Sequence, residues 1–235
     1  LSESVLQHHF ADLEQQKEAS NLGMWAFLVT EILFFGGFFL TYTVYRYLYY
    51  DAFAAGSHHL DWRLGGINTL VLIGSSLTMA FAVHSAAHGW SRATVAWLLA
   101  TVTLGSVFLG VKVKEYGEKI VPCLQDPAAN VAQGLRPFQG CLVPGPRFDP
   151  ETLHLEGPEA EHVQIYFSLY FGMTGLHAAH MIIGIPILLT LAVLAGRGRF
   201  TTTYSTPVEL TGLYWHFVDI VWIFLYPLLY LVGHH

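Results

Sequence analysis

Apolar residues along the chain gather into five long runs, about Leu22–Leu48, Ile67–His88, Ala93–Val111, Val163–Ala195 and Leu210–Val232. Each is long enough for the ~20 residues that carry an α-helix through a hydrocarbon layer. The fourth is over-long, which predicts a tilted or projecting helix. Pro186 and Pro227 lie inside runs, a placement tolerated where neighbouring helices satisfy the freed carbonyls. Small residues at Gly36, Gly37, Gly74, Ser75, Ser76, Gly105, Gly172 and Gly175 would let helices pack closely. The pattern predicts an all-α membrane protein, a bundle of five transmembrane helices with one long Pro-rich extramembrane loop.

Between the third and fourth runs the pattern breaks. Residues 117–162 hold seven of the ten prolines, both cysteines and little periodicity. This loop is expected to cap the bundle or dock a partner. Just before it, "KVKEYGEK" reads as a helix continuing into water, with Lys114–Glu118 and Glu115–Lys119 at supportive i,i+4 spacing. The opening residues, 1–21, with Glu3, Asp12, Glu14, Lys17 and Glu18, read as a polar tail and not as a signal peptide. The organisation is then a tail at 1–21 and a transmembrane domain at 22–235 with the loop inserted.

Composition agrees with the runs. The 235 residues are 53% apolar and only 12% charged, and the mean hydropathy is +0.45. A soluble domain carries about twice that charge. The net charge of −6 and the absence of a basic stripe exclude a nucleic-acid partner. Two cysteines form no disulfide scaffold, and no CxxC, CxxCH or four-ligand zinc spacing occurs. With the N-terminus inside, the inner segments hold four Lys or Arg residues and the outer ones seven. The count alone favours the opposite placement.

Ionisable residues inside the runs are candidates for function, because hydrocarbon penalises them. They are Glu31, His84, His88, His177, His180, His216 and Asp219. His177 and His180 fall three apart on one helix face, His84 and His88 four apart near a helix end. His84 and His216 fall toward the same membrane side, so a bis-histidine haem is one reading; interhelical hydrogen bonds are the other. A di-iron site would need two inward Glu-x-x-His copies, whereas Glu159 and His162 supply one. Glu31 has Phe27, Leu28, Phe34 and Phe35 as helical neighbours, surroundings that favour the neutral acid. It is expected to bond to a neighbouring helix, a histidine of the fourth span included, either as a proton-relay group or as a tie. Asp219 is one turn from His216, at the spacing of a local hydrogen-bonded pair.

Four stretches, "GMWAFLVTEILFFGGFF", "NTLVLIGSSLTMAFAVHSAAHG", "TGLHAAHMIIG" and "YWHFVDIVWIFLY", resemble in order subunit III of haem–copper oxidases, the cytochrome c oxidase type. "TLGSVFLGVKVKEY", which contains Glu115, resembles the end of the intervening helix. The resemblance implies an accessory subunit with no catalytic residue, metal or other cofactor of its own. Haem and copper would lie in partner subunits I and II, and phospholipid would occupy a cleft of this chain. Glu31 matches the family's carbodiimide-reactive glutamate, His177 and His180 its paired histidines, and Trp215, His216 and Asp219 its "WHFVD" signature. Support of proton uptake and of the catalytic subunit's durability is implied for the function. The equivalent subunit of a quinol oxidase or of a nitric-oxide-reductase-associated complex is the alternative, with a stand-alone haem-binding protein as a third reading. Five spans resemble the shorter bacterial form, placed in the inner membrane with the N-terminus cytoplasmic. The long loop and C-terminus then face outside, where Cys123–Cys141 would be free to form a disulfide. The loop departs from the family's compact pattern and suggests docking of an extra subunit or a fused cytochrome domain.

Overall fold

The computed structural model describes residues 10–58, 60–125, 158–202 and 204–232, with the side chains at 118–125 and 158–161 left out. Six helices follow one another: α1 Leu13–Leu48, α2 Tyr50–His58, α3 Trp62–Ala87, α4 Ser91–Gln125, α5 Pro158–Gly196 and α6 Thr206–Tyr230. Five of them, all but α2, are long and apolar enough to cross a membrane, so the expected bundle forms. Two differences concern length. Helix α1 begins at Leu13, inside the polar opening, because the Asp12 side chain accepts a hydrogen bond from the Gln15 amide at 2.7 Å and caps it. Helices α4 and α5 continue to Gln125 and from Pro158, so the described part of the expected loop is helical at both ends. Cys123 has no described side chain and Cys141 lies outside the described residues, so their pairing is not addressed.

The ends of these helices follow local chemistry. Gly89, at φ 73°, closes α3: its amide bonds to Ala86 O at 3.0 Å and the Trp90 amide to Ser85 O at 2.9 Å. Only a residue without Cβ takes that left-handed turn at no steric cost. At the end of α6, the orphan carbonyls are met from other helices. Tyr42 of α1 donates to Leu228 O, and Tyr166 of α5 donates to Leu229 O at 2.6 Å. Hydroxyls on the outer face are satisfied within their own helix. Thr41, Thr43, Thr103 and Ser106 each donate to the carbonyl four residues earlier, which is how a polar side chain can face hydrocarbon.

Helix α6 is the centre of the bundle, buried at Trp215, Val218, Asp219, Trp222, Leu225, Leu229 and Tyr230. Helices α3 and α5 pack directly against it and α4 reaches it through side chains such as Phe108 on Trp222, while the closest packing in the bundle is between α3 and α4 and between α4 and α5. Gly105 of α4 and Gly184 of α5 let the Trp215 indole lie between them: a Cβ on either would come within 3.0 Å of that ring. Helix α1 stands at the side. It buries only Leu28, Phe35 and Tyr42 and exposes Leu22, Ile32, Leu33 and Leu40 among others. The short α2, which periodicity did not signal, tucks Phe53 between Tyr42 and Tyr166; a Cβ on Gly56 would overlap the Tyr166 ring.

Candidate functional site

Three groups of polar side chains lie within the bundle, and each is built by different helices. The first joins α1 to α5. Glu31 Oε2 approaches His180 Nε2 at 3.2 Å, so the expected contact with a histidine of the fourth span is present. His180 Nδ1 lies 2.9 Å from Leu176 O. A carbonyl only accepts, which assigns the Nδ1 hydrogen. In the neutral ring Nε2 then carries a lone pair and faces the carboxyl. The approach lacks hydrogen-bond alignment, and Glu31 Oε2 has no other partner. Phe35 packs on the His180 ring with centroids 5.6 Å apart, and Tyr214 donates to His180 O at 3.0 Å. The pair opens on a groove of about 400 Å³ lined also by Met24, Phe27, Ile183 and Tyr214.

The second group overturns a sequence expectation. Lys112 and Glu115 do not run out into water: they are 3% and 7% exposed. Lys112 Nζ donates to Glu115 Oε2 at 2.9 Å and to Tyr230 OH at 2.5 Å. Tyr170 and Tyr230 in turn donate to Glu115 Oε1 at 2.7 and 2.8 Å. The ammonium lies 4.6 Å from the Trp222 ring centroid and 5.1 Å from that of Tyr230, within cation–π range. Beside this cage Tyr116 hydrogen-bonds Thr174. The sequence reading missed Lys112 because i,i+3 spacing to Glu115 was passed over in favour of i,i+4 pairs. The partners proposed for Glu115 and Lys114, Lys119 and Glu118, lie outside the described side chains.

The third group lies along the α3–α6 seam. Trp222 Nε1 donates to Thr69 Oγ1 at 3.1 Å, Trp215 Nε1 to Ser75 Oγ at 2.9 Å, and His216 Nδ1 pairs with Ser76 Oγ at 2.6 Å. The expected His216–Asp219 pair is therefore absent. Asp219 is 2% exposed and neither carboxyl oxygen has a hydrogen-bond partner. His216 also borders a second groove, about 490 Å³, between α1 and α6, with Trp25, Phe35, Phe39, Phe217 and Phe224.

The remaining histidines separate. His177 and His180, expected on one face, serve different neighbours: His177 is enclosed by Phe108 and Trp222, with centroids at 5.3 and 5.1 Å, and neither ring nitrogen is bonded. His84 and His88 sit exposed at the end of α3, His88 Nδ1 on His84 O at 2.8 Å. His162 stacks on Tyr49 at 3.7 Å, while the Glu159 side chain is not described. Ser76 engages His216 Nδ1, and aromatic rings enclose His177. Among the described residues no group of three or more His, Cys, Asp or Glu converges as a metal-binding set.

Comparison with known proteins bears on this arrangement. A sequence profile of the family "Cytochrome c oxidase subunit III" matches residues 159–234, which span α5 and α6 with His177, His180, Trp215, His216 and Asp219. The chain is 28% identical to cytochrome c oxidase subunit 3 of Thermostichus vulcanus, over 90% of this chain and 86% of that one. It is 29% identical to cytochrome c oxidase subunit 3 of Papio hamadryas, over 99% and 76%. It is 26% identical to quinol oxidase subunit 3 of Bacillus subtilis (strain 168), over 95% and 93%. The motifs of α5 and α6 and these relatives agree in making the chain similar to subunit III of haem–copper oxidases.

Proposed function

We propose that the chain is the accessory subunit III of a proton-pumping haem–copper terminal oxidase, packed beside catalytic subunit I and in complex with subunit II. It carries no redox centre and acts by supporting proton uptake and by steadying the catalytic subunit. The observation that carries this reading is the Glu31–His180 approach of 3.2 Å beside a largely apolar groove. A carboxyl and an imidazole held face to face between two helices suit a group that ties helices together or hands protons on. The two grooves flanking α1, nearly all apolar, suit phospholipid chains. In this reading the protein sits in the bacterial inner membrane with the N-terminus cytoplasmic, and residues 117–162 face outward to an additional subunit or cytochrome domain.

The test is purification of the full chain, tagged, from its native membrane. Haem-containing partner chains are expected to co-purify, while the separated chain shows no haem band in a reduced-minus-oxidised spectrum. A stoichiometric haem band on the isolated chain would overturn the accessory role. The relation to the Bacillus subtilis quinol oxidase subunit favours a second reading, the equivalent subunit of a quinol oxidase. A co-purified partner with a Cys-x-x-x-Cys copper motif points to cytochrome c as donor, and a partner lacking it to quinol.

A further inference from the structure

Outside the three polar groups of the bundle, the turn between α3 and α4 carries a histidine pair. His84 stands in the last turn of α3 and His88 closes that helix, so the four-residue spacing puts both rings on one face. Both residues are exposed, and their ring centres are 4.3 Å apart at 40°. His88 Nδ1 lies 2.8 Å from His84 O. A carbonyl only accepts, so the hydrogen belongs to Nδ1, and Nε2 of the neutral ring keeps a lone pair. A ligating imidazole is held in the same way, its other nitrogen donating to a carbonyl. Among the described residues the His84 ring meets the rings of His88 and Trp90 and no hydrogen-bond partner.

The backbone at this point is already fixed. Gly89, at φ 73°, turns the chain, and the Trp90 amide returns to Ser85 O at 2.9 Å. The last carbonyls of α3 carry partial negative charge, which favours a cation at this end of the helix. Two imidazoles on one zinc ion, with bonds of about 2.0–2.1 Å, have ring centres about 5 Å apart. The pair is therefore one small side-chain rotation from that spacing. Among the described residues no carboxylate completes a larger set around these rings. Nitrogen ligands without carboxylates suit Zn(II), whereas Mg(II) and Ca(II) take oxygen. In zinc hydrolases with this histidine spacing a glutamate follows the first histidine as general base. Here Ser85 follows, 3% exposed, so the pair has the means to bind an ion and no base beside it.

We propose that His84 and His88 form a peripheral Zn(II) site at the turn joining α3 and α4. His88 ligates through Nε2 and His84 through a ring nitrogen, and water fills the remaining positions. The turn joins two spans and so lies at a membrane surface, where aqueous ions reach it. Zn(II) adds no redox centre. It clamps the end of α3 and stabilises the folded chain by mass action.

The test uses the full chain in its native complex, purified with a histidine-free tag and washed with chelator. Zinc uptake is measured by equilibrium dialysis against graded ZnCl₂, with elemental analysis of the retained metal. Wild type is expected to hold one more zinc ion per chain than His84→Ala or His88→Ala, a difference that cancels the contribution of other histidines. Each substitution should weaken this site at least about 10-fold, the lower range even for losing a supporting hydrogen bond to a ligand. His84→Cys, which puts another zinc ligand at the same place, should restore uptake; a merely structural histidine would not be replaced in this way. Equal uptake by wild type and both alanine variants would overturn the proposal, and so would failure of His84→Cys to regain the ion. Should His84→Ala not assemble, His88→Ala against wild type decides by the same comparison.

Discussion

Lys112–Glu115 and Glu31–His180 are both acid–base contacts inside membrane helices, yet they solve the problem of burial in opposite ways. The Lys112 and Glu115 side chains are 4% and 8% exposed, and their charges are met from two other helices by Tyr170 of α5 and by Trp222 and Tyr230 of α6. Each polar atom has several neighbours, so the desolvation cost is offset by hydrogen bonds and by the quadrupoles of the rings. Glu31 and His180 are 18% and 15% exposed and have one polar partner each beyond the backbone, with a groove alongside. The first arrangement holds α4, α5 and α6 together and tolerates no loss. The second ties a lightly packed α1 to α5 beside an open groove. Satisfaction of charge, not its mere presence, separates a structural ion pair from an adjustable one.

The largest effect is expected from breaking the satisfied pair. Lys112→Met strands the Glu115 carboxylate and should lower the stability of the purified chain by about 3–5 kcal/mol, read from thermal unfolding in detergent. Lys112→Met with Glu115→Gln should recover most of that, since neither charge is then buried alone. A double variant no more stable than the single would show that the cage depends on its charge. Trp222→Phe removes the bond to Thr69 and weakens the cation–π contact, with an expected loss of about 1–2 kcal/mol by the same measurement. Glu31→Gln should cost under about 1 kcal/mol while abolishing carbodiimide labelling of the chain. Labelling that persists would identify another carboxyl as the reactive one. The smallest effect belongs to Lys17→Ala: its ion pair with Glu209 spans 3.5 Å with Lys17 half-exposed, so the change should stay below about 0.5 kcal/mol. A loss as large as that of Lys112→Met would erase the distinction between caged and open pairs.

The five spans were readable because hydrocarbon demands a length and a composition that a linear pattern displays. Glu31 was readable for the same reason, as a charge where charge is penalised. The identity of its partner was only narrowed to the fourth span; the approach of α1 to α5 selects His180 and leaves His177 to Phe108 and Trp222. Asp219 and His216 were misjudged as a local pair because sequence spacing sees one helix at a time, and Ser76 on α3 takes the imidazole instead. Lys112 looked solvated because it stands near a polar stretch. The turn of α4 brings it instead against Trp222 of α6 and Tyr170 of α5.

By itself the sequence determined the class of the protein, its spans, and which side chains would be costly where they stand, since those follow from transfer of each residue out of water. The tertiary structure alone decided which of those costs are met. Hydrogen bonds and cation–π contacts act over a few ångströms, and only the packing of α3, α4 and α5 around α6 sets those distances. It encloses Lys112, leaves Asp219 without a partner, and places Glu31 at an open groove.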